Sequence, residues 1–428
     1  MKLTKYKLAD IGKVVTGKTP STESEDNYVN GNIPFYTPED ISKGFCMMNR
    51  NKRFITQKGF NEIESNTISG ESVLVGCIGS DMGNVAYSNI KCATNQQINT
   101  ITQFKENVNP LYVYYLLSTM KSYFKQLAGS TTTPILPKSV FEEIEIHLPN
   151  INIQNDVVSI LNSIDRKIEL NKRINDNLEA MAKQLYDYWF VQFDFPNEEG
   201  KPYKSSGGEM VWNERLKREI PNGWSDTNVM SLINPIERGI SYSSEDLLDP
   251  TSMPMVNLAC FSKAGDYRLG EMKFFSGNVA EQKLIHPMDM LIACTDMTQG
   301  ADIIGRPILV SNEYEEYTFS TDLALVVPNG KQKMYLYYSL RTPYYHTYIR
   351  PFASGTTVKH LNIKGVENYV LPLPTNEIQS KFEDIILPIK KKQSKNLNEI
   401  VALTKQRDEL LPLLMNGQAT VNYHLSAC

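Results

Sequence analysis

The sequence has no long apolar run and no sign of export. No apolar stretch approaches the ~18 residues that a membrane helix needs, and the N-terminus MKLTKYKLADIGK lacks the apolar core of a secretory signal. We therefore expect a soluble, cytoplasmic protein with no membrane partner. Its 428 residues exceed what a single hydrophobic core normally organises, which predicts at least two domains.

Cysteine and histidine are scarce as well. The 6 cysteines include no C-x-x-C pair, and none of the 5 histidines clusters with them, so the sequence predicts no metal site. A low cysteine count in a long chain does not suit a disulfide framework, and several cysteines stand inside apolar runs such as VLVGCIG. We expect buried, reduced thiols at these positions: Cys46, Cys77, Cys92, Cys260, Cys294 and Cys428.

Positive charge is not in excess. The chain has 44 Lys and Arg residues against 48 Asp and Glu residues, a net charge of -4. Binding to nucleic acid needs a basic surface that neutralises phosphates. This charge balance therefore argues weakly against a chain that binds DNA without other subunits. A DNA-binding role would require basic residues concentrated on one face, or phosphate contacts supplied by partner subunits.

What the sequence does contain is an internal repeat. In the first part of each repeat, VLVGC at 73–77 resembles MLIAC at 290–294, and YVYYLL at 112–117 resembles YLYYSL at 335–340. A constant framework around divergent loops predicts two binding modules that share a fold and read different things. Further on the match has no gap and an offset of 225 residues: Ala128, Thr131, Thr132, Leu136, Leu148, Pro149, Ile153, Gln154, Ile160, Lys167, Asn171, Leu178 and Leu185 recur as Ala353, Thr356, Thr357, Leu361, Leu373, Pro374, Ile378, Gln379, Ile385, Lys392, Asn396, Leu403 and Leu410.

Each repeat has a strand-rich first part and a helical second part. The first parts, at about 1–150 and 205–375, contain many Gly, Pro and Thr residues and short β-branched runs, which is typical of a mixed α/β module. In the second parts, apolar residues from Gln154 to Trp189 and from Ile378 to Leu414 mostly recur every three or four positions, as on one face of a helix. Pro388 and Pro412 are expected to kink or interrupt the second helix.

Two such helices would each reach about 60 Å if straight, and neither can bury its apolar stripe alone. We expect them to form an antiparallel coiled coil related by a pseudo-twofold axis, rather than each packing on its own domain. The predicted fold class is α+β, with two mixed α/β domains joined by the two long helices. The polar, Gly- and Ser-rich segment FPNEEGKPYKSSGGEM at 195–210 is predicted to be a linker.

Several segments together resemble the specificity subunits of type I restriction–modification enzymes, over nearly the whole chain. The resemblance begins with Leu148-Pro149 and Ile153-Gln154 at the start of the first helix. GKTPS at 17–21 and GNIPFYTPEDI at 31–41 resemble the opening of such domains. The other segments are LYDYWFVQFDFP (185–196), GKPYKSSGGEMVWNERLKREIPNGW (200–224), FSTDLALVVP (319–328) and LLPLLMNGQATV (410–421).

This resemblance implies a non-catalytic subunit that selects a DNA sequence for partner enzymes. It implies target-recognition domain 1 at 1–150, a helical spacer at 151–196, a linker with target-recognition domain 2 at 197–375, and a second helical spacer with the tail at 376–428. Each recognition domain would read one half of a split, asymmetric double-stranded DNA target, and the helices would set the unread gap. Two methyltransferase subunits would dock on the helices, and restriction subunits would join them. No cofactor is expected in this chain; the resemblance places S-adenosylmethionine on the methyltransferase, and ATP and Mg on the restriction subunit.

Candidate contact residues come from the loops and from the helices. Matched Gly/Ser/Thr loops offer hydroxyl and amide groups to phosphates, and residues that differ between the repeats are candidates for reading bases. The DNA-binding candidates are Thr37, Asp40, Lys43, Ser130, Thr131, Thr132, Thr133 and Lys138 in the first repeat, and Lys263, Asp296, Thr298, Gln299, Thr356, Thr357, Lys359 and His360 in the second. The partner-docking helices are represented by Val157, Ile160, Ile164, Leu178, Leu185, Phe382, Ile385, Leu403 and Leu410.

Two motifs suggest enzymatic alternatives. Gly12–Thr19 matches the phosphate-loop pattern G-x-x-x-x-G-K-[ST], but the segment before it is too polar for a central strand, and Pro20 stands where a helix should begin. Asn109-Pro110-Leu111-Tyr112 resembles the Asn-Pro-Pro-Tyr loop of adenine methyltransferases, yet it suits a helix start capped by Asn109. The tyrosine-rich helices that follow in both repeats are interpreted as core rather than as base-stacking platforms. A nucleotide-dependent enzyme and a coiled-coil scaffold without DNA contact remain as alternatives.

Overall fold

The structure is a computed structural model that describes residues 3–41, 53–79, 82–129, 134–247, 249, 251–262 and 265–419. The chain forms two compact units. Unit 1 comprises Met1–Lys167 and Leu403–Cys428, and unit 2 comprises Ile168–Ala402. Across the described ranges, no helix combines the length and the apolar character needed to cross a bilayer.

Unit 1 alternates short strands with short helices before its first long helix. The long helix continues into unit 2, because it ends beyond Lys167. The elements in chain order are β1 (Thr4–Lys7), α1 (Leu8–Ile11), β2 (Lys13–Thr16), β3 (Ile33–Tyr36), β4 (Phe54–Ile55), α2 (Gln57–Glu62), β5 (Thr67–Ile68), β6 (Ser72–Gly76), β7 (Val85–Ser88), β8 (Cys92–Thr94), β9 (Ile98–Thr102), α3 (Pro110–Ser118), α4 (Lys121–Leu127), α5 (Lys138–Glu142), β10 (Glu145–Leu148) and α6 (Ile151–Tyr186).

After the end of the first long helix, unit 2 contains a hairpin and then a similar succession of strands and helices. Its last helix continues into unit 1 beyond Ala402. The elements are β11 (Met210–Asn213), β12 (Arg218–Pro221), β13 (Ser225–Asn228), β14 (Glu237–Arg238), β15 (Met253–Val256), β16 (Lys273–Phe275), β17 (Met290–Ala293), β18 (Thr295–Asp296), β19 (Pro307–Leu309), β20 (Thr318–Phe319), β21 (Leu323–Val326), α7 (Lys333–Ser339), α8 (Pro343–Ile349), β22 (Ala353–Ser354), β23 (Lys359–Leu361), α9 (Lys364–Glu367), β24 (Val370–Leu373) and α10 (Asn376–Met415).

The two units repeat one sheet topology. The antiparallel order β2-β9-β6-β7 in unit 1 matches β14-β21-β17-β19 in unit 2, and β1 pairs with β10 as β13 pairs with β24. A second sheet contains one parallel pair in each unit, β3 with β8 and β15 with β20. The central strands β6 and β17 are buried on both faces, as their continuous apolar sequences predict. The structure thus confirms the internal repeat and the α+β fold class.

The repeated glutamine near the start of each long helix has a structural role. The Gln154 side-chain amide donates to the Pro149 carbonyl at 2.9 Å, and its oxygen accepts from the Asn109 backbone N–H at 2.8 Å. Gln379 repeats the first contact, donating to the Pro374 carbonyl at 2.6 Å. Both side chains are buried, so each amide ties a helix start to the strand before it.

Replacing Gln154 with leucine is expected to lower the free energy of unfolding by about 2–4 kcal/mol, because the Asn109 donor and the Pro149 acceptor would be left buried and unsatisfied. Gln379→Leu, which breaks the Pro374 contact, should cost less. Thermal unfolding of the full chain followed by calorimetry compares the two variants. Equal losses of unfolding free energy in the two variants would mean that the hydrogen bond from Asn109 contributes nothing to stability.

The second long helix differs from its prediction at the prolines. The helix runs without a break from Asn376 to Met415 and includes both Pro388 and Pro412. Each proline removes one main-chain hydrogen bond, and the apolar contacts made on either side are sufficient to keep the helix continuous. Phe382 and Ile386 are fully buried before Pro388, and Leu414 is buried after Pro412.

The segment predicted as a linker is packed into unit 2. The ring of Tyr203 stacks on Phe195 with centroids 4.7 Å apart, and Ser205 donates twice to the Asp194 carboxylate, at 2.7 and 2.6 Å. The polar composition, rich in Gly, Ser and Pro, predicted a linker. The single tyrosine and the neighbouring aspartate decide its packing instead.

The long helices contact each other within each unit. In unit 2 the Asn171 amide donates to Glu399 at 2.9 Å and Asn175 to the Gln393 carbonyl at 3.1 Å. Because the partner numbers fall as the α6 numbers rise, the two helices run antiparallel there. In unit 1, Asp165 of α6 pairs with Arg407 of α10 at 2.9 Å. These contacts agree with the predicted coiled coil.

Candidate nucleic-acid interface

A small sheet at the edge of unit 2 brings most of the second-repeat candidates together. Its three strands have the order β18-β23-β22. Thr295 lies opposite His360, and Asp296 lies opposite Lys359. The loop after β18 carries Thr298 and Gln299, and the turn between β22 and β23 carries Thr356 and Thr357. We call these segments, residues 295–300 and 353–361, the edge sheet.

Asp296 organises the loop of the edge sheet. Its side chain is 1% exposed, and its two oxygens accept the backbone N–H groups of Thr298 at 2.7 Å and Ile303 at 2.8 Å. The Thr298 hydroxyl in turn accepts the N–H of Asp302 at 3.1 Å. A buried carboxylate held by two amides shapes a loop and has little capacity left for a base. The structure therefore gives Asp296 a positioning role beneath the exposed loop residues.

The turn of the edge sheet depends on Gly355. Its φ is +119°, and a Cβ at this position would lie 2.0 Å from the Val358 carbonyl oxygen. The Gly355 carbonyl accepts the Lys359 ammonium at 2.6 Å. Thr356, Thr357 and His360 are exposed on this turn. Their hydroxyl and imidazole groups are thus available to an outside partner.

Basic side chains surround the loop of the edge sheet. The Arg350 guanidinium donates to the Gly300 carbonyl, and the His346 imidazole lies 3.2 Å from the Ala301 carbonyl. Burial and the nearby Arg306 guanidinium lower the pKa of His346, so its ring is neutral near pH 7. Met297, at the tip, is 74% exposed. The arrangement offers an apolar tip beside the Arg350 guanidinium, which suits a groove lined by phosphates.

Unit 1 builds the same frame with different side chains. The Leu136 N–H donates to the Cys77 carbonyl at 2.9 Å, and the equivalent Leu361 N–H donates to the Cys294 carbonyl at 2.9 Å. Ile78 and Ile135 form the bridge that corresponds to the Thr295–His360 pair. The two repeats therefore share backbone geometry at this edge and differ in what they present.

Four cysteines are free and buried, which confirms the predicted reduced thiols at those positions. Burial raises the pKa of Cys77 to about 11 and that of Cys294 to about 12, so both remain protonated and unreactive. Cys46 and Cys428 lie outside the described residues. Within the described ranges, no group of three His, Cys, Asp or Glu side chains converges into a possible metal site.

The remaining first-repeat candidates do not join the edge. Thr37 is 7% exposed, and its hydroxyl lies 3.0 Å from the Asp40 carboxylate and accepts from Arg53 at 2.9 Å, so both candidates help to hold a short helical turn at 38–40. Lys138 is exposed at the start of α5 and pairs with Glu142 at 3.5 Å. Candidates outside the described residues are Lys43, Ser130, Thr131, Thr132, Thr133 and Lys263.

Sequence reasoning missed the cations beside the edges. Arg350 corresponds to Lys125, and His346 corresponds to Lys121, at the same offset of 225 residues that relates Ala353 to Ala128. Lys125 is exposed on α4, and Lys121 binds the Asn84 side-chain oxygen at 2.5 Å. The signal was present, because a basic or titratable residue recurs at both positions, but it was hidden by the change of residue type.

Both enzymatic motifs have other conformations. Lys13–Thr16 of the phosphate-loop pattern is strand β2, paired with β9, and residues 17–21 form no helix that could hold a phosphate at its N-terminus. Asn109 caps α3 as predicted, accepting from Leu111 and Tyr112 at 2.9 and 3.2 Å. The aromatic residues of the following helices are mostly core, as interpreted from the sequence: Tyr112, Tyr114, Tyr115 and Phe124 in unit 1, and Tyr335, Tyr337, Tyr338 and Tyr345 in unit 2.

The predicted docking residues divide between core and surface. Val157, Ile164 and Phe382 are buried and pack inside the chain, so their side chains cannot be part of a docking surface. Ile385 is 43% exposed. The stripe residues Ile160, Leu178, Leu185, Leu403 and Leu410 are half-buried. The helices also carry large apolar side chains that are more exposed. Among them are Leu170 and Met181, which are 57% and 59% exposed.

Comparison with known proteins agrees with the fold and the sequence motifs. Residues 2–180 match the family profile of the type I restriction modification DNA specificity domain. The type I restriction enzyme MjaIX specificity subunit of Methanocaldococcus jannaschii is 28% identical over 426 residues, covering 97% of this chain and 93% of that protein. The HindI specificity subunit of Haemophilus influenzae is 25% identical over 358 residues, covering 73% of this chain and 78% of that protein.

The fold is likewise similar to a solved structure. The crystal structure of the type I restriction–modification S subunit from M. genitalium superimposes with a TM-score of 0.62 at 16% identity, covering 97% of this chain and 96% of that one. At this identity the similarity concerns the fold, which includes two repeated α/β modules and two long helices. The near-complete coverage by named specificity subunits, together with the internal repeat and the matched fold, makes the chain similar in sequence and in fold to type I restriction–modification specificity subunits.

Proposed function

We propose that this chain binds a bipartite, asymmetric double-stranded DNA target, with one half-site read by each repeat. The proposal rests on one observation. Both units have the same main-chain hydrogen bonds at the edge that carries the candidate residues. The Leu136–Cys77 and Leu361–Cys294 hydrogen bonds are both 2.9 Å long, whereas the flanking side chains differ between the units. Equal frames with unequal side chains are what two readers of different sequences require.

The cations at the edges compensate locally for the net charge of -4. In unit 2, Arg350 donates to the Gly300 carbonyl and Lys359 to the Gly355 carbonyl, both in segments that would enter a groove, and in unit 1 Lys125 and Lys121 are the repeat counterparts of Arg350 and His346. Such residues fix a protein on the phosphate backbone, and the loop residues then read base edges. Methyltransferase subunits would supply the other phosphate contacts.

The helices would carry two methyltransferase subunits and set the unread gap, in the cytoplasm where the host DNA lies. Partly exposed apolar residues recur at equivalent positions: Ile160 corresponds to Ile385, and Tyr188 to Leu413. A surface that occurs twice on one chain suits two copies of one partner. The helices, 36 and 40 residues long, span about 54 and 60 Å at 1.5 Å per residue. Restriction subunits would join this assembly.

Exchange of residues 1–150 for the equivalent domain of a relative tests the modular reading. The exchanged chain, expressed with its methyltransferase in a restriction-negative host, is expected to methylate a motif in which one half is new and the other is unchanged. Single-molecule sequencing of genomic DNA gives both motifs directly. Exchange of residues 211–375 is the matched control and should change the opposite half. A change in both halves after either exchange would contradict separate reading.

A further inference from the structure

Each unit contains a buried ion pair between the two long helices. In unit 1 the Arg407 guanidinium donates to the Asp165 carboxylate at 2.9 Å, with side chains 11% and 0% exposed. In unit 2 the Lys390 ammonium donates to the Glu179 carboxylate, with side chains 7% and 29% exposed. Pairs this deeply buried are costly to desolvate, and they stabilise one arrangement mainly by penalising others.

The two ion pairs share one repeat position, at which they have opposite polarity. Lys390 is the repeat counterpart of Asp165, 225 residues later, so one position carries an acid in α6 and a base in α10. Each ion pair is contacted by a tyrosine from one of the two matched segments, YVYYLL in unit 1 and YLYYSL in unit 2. The Tyr115 hydroxyl donates to Asp165 at 2.7 Å, and the Tyr338 hydroxyl to Glu179 at 3.4 Å. The shared position therefore has its charge reversed, while its partners differ by one helical turn and the Arg341 guanidinium also lies 3.9 Å from Glu179 in unit 2.

The reversal matters because the helices are repeats of each other and could pair with their own copies. Arg407 corresponds to Ala182, which lies one turn from Glu179. If a second α6 replaced α10, Asp165 would face Glu179 of the other copy. If a second α10 replaced α6, Lys390 would face Arg407 of the other copy. Both self-pairings bury like charges twice, whereas α6 with α10 buries opposite charges twice.

The middle of the helix pair contains amide side chains from both helices. Asn171 and Asn396 are repeat counterparts with the same side chain. The Asn396 amide donates to the Asn175 side-chain oxygen at 2.8 Å. A pair of α6 helices could repeat this contact between Asn171 and Asn175, whereas in a pair of α10 helices Asn396 would face Ile400, the repeat counterpart of Asn175. The amides therefore do not exclude a pair of α6 helices, whereas the charged positions oppose both self-pairings.

We propose that the inverted ion pairs Asp165–Arg407 and Glu179–Lys390 act as a partner code that makes α6 pair with α10 and excludes pairing with a second copy of the same helix. The proposal concerns assembly and does not rest on which DNA is bound. It assigns four specificity-determining residues, and it identifies the excluded partner as the equivalent repeat of another copy of this chain.

The test uses the full chain, folded first and then cut once. A protease site is placed at Glu199–Lys201, where the three residues are exposed in a turn, so that both halves are retained after cleavage. Cut protein with an isotope label is mixed with unlabelled cut protein and incubated until the halves exchange. Native mass spectrometry then counts complexes of unlike halves and of like halves. Wild-type protein is expected to give unlike pairs almost exclusively.

Two sets of charge swaps separate pairing choice from stability. D165R/R407D keeps both ion pairs in the α6–α10 arrangement, but it also makes self-pairing attractive, because the substituted cation at position 165 would face Glu179 and the substituted anion at position 407 would face Lys390. Discrimination should be lost, and like pairs should rise to about half of all complexes. D165R/R407D/E179K/K390E restores repulsion in both self-pairings. That variant should return to unlike pairs, as in the wild type.

The outcomes decide between a partner code and a plain structural role. Like pairs in the double swap and their disappearance in the quadruple swap support the code. Unlike pairs alone in the double swap would overturn it, because the charges would then stabilise without choosing. The code would also be overturned if the halves of the double swap separated without forming like pairs. The direction of each ion pair would then affect local packing and not the choice of partner.

Discussion

Asp296→Ala is expected to remove recognition of one half-site, weakening DNA binding by the complex with its methyltransferase by at least about 100-fold. The carboxylate holds the amides of Thr298 and Ile303 at 2.7 and 2.8 Å while itself 1% exposed. Without it two buried donors lose their acceptor, at about 1–3 kcal/mol each. The loop that carries Met297 and Gln299 then has no fixed conformation to present to DNA.

The measurement is fluorescence anisotropy with duplexes that carry both half-sites or only one. For Asp296→Ala, the full site should bind no more tightly than the single half-site read by unit 1. Asp296→Asn keeps one acceptor oxygen and should fall between the wild type and the alanine variant. Asp249→Ala is the matched control, because Asp249 accepts the Thr251 N–H at 2.8 Å in an exposed turn of the same unit.

Wild-type affinity of Asp296→Ala for the full site would contradict the positioning role, and it would place the reading surface of unit 2 elsewhere. Loss of affinity with the Asp249 variant as well would point to a general loss of stability in unit 2. The two variants together therefore distinguish a local effect on the loop from a global one.

The internal repeat is the part of this fold that the sequence predicts best. An offset of 225 residues without a gap carries the long helices, the glutamine that starts each of them, and the matched edge segments. These features follow from local pattern, because the period of apolar residues and the position of a capping residue depend on near neighbours. The structure agrees with each of them.

The roles of individual site residues could not be predicted in the same way. Asp296 looked like a reader because it differs between the repeats, but its oxygens are taken by amides of a loop whose path the sequence does not specify. Lys390 is adjacent in sequence to Lys391 and Lys392, yet it is buried against Glu179 because of the helix register. Burial and partner choice are tertiary properties, and a list of residue types does not contain them.

The aromatic residues after the first long helix show a second limit. Trp189 and Phe190 belong to a segment that resembles the family and could have been read as a binding surface. They are buried in unit 2, where the Phe190 ring lies 4.8 Å from Phe382 and 4.7 Å from Tyr335. Their repeat counterparts Leu414 and Met415 are buried in unit 1. The segment is therefore core, and the larger rings fill a larger space in unit 2.

Phe382→Ala is expected to lower the stability of unit 2 by about 3–5 kcal/mol. The side chain is fully buried, and its ring centroid lies within 6.3 Å of those of Tyr186, Trp189, Phe190 and Tyr338. Truncation removes a ring that four others contact, and the helices that carry them cannot all move inward to fill the cavity. Val157→Ala, at the equivalent position of unit 1, removes far less volume and should cost about 1–3 kcal/mol.

Hydrogen exchange followed by mass spectrometry resolves where each variant loses protection. Phe382→Ala should speed exchange in α7, Lys333–Ser339, whose Tyr335 and Tyr338 belong to the ring cluster, while α3 of unit 1 keeps its wild-type rate. Val157→Ala should show the reverse pattern. Phe382→Leu, which refills most of the cavity, should recover much of the protection. Unchanged exchange in α7 of the alanine variant would show that the other rings close the space themselves, and that Phe382 adds volume without fixing the position of the helix.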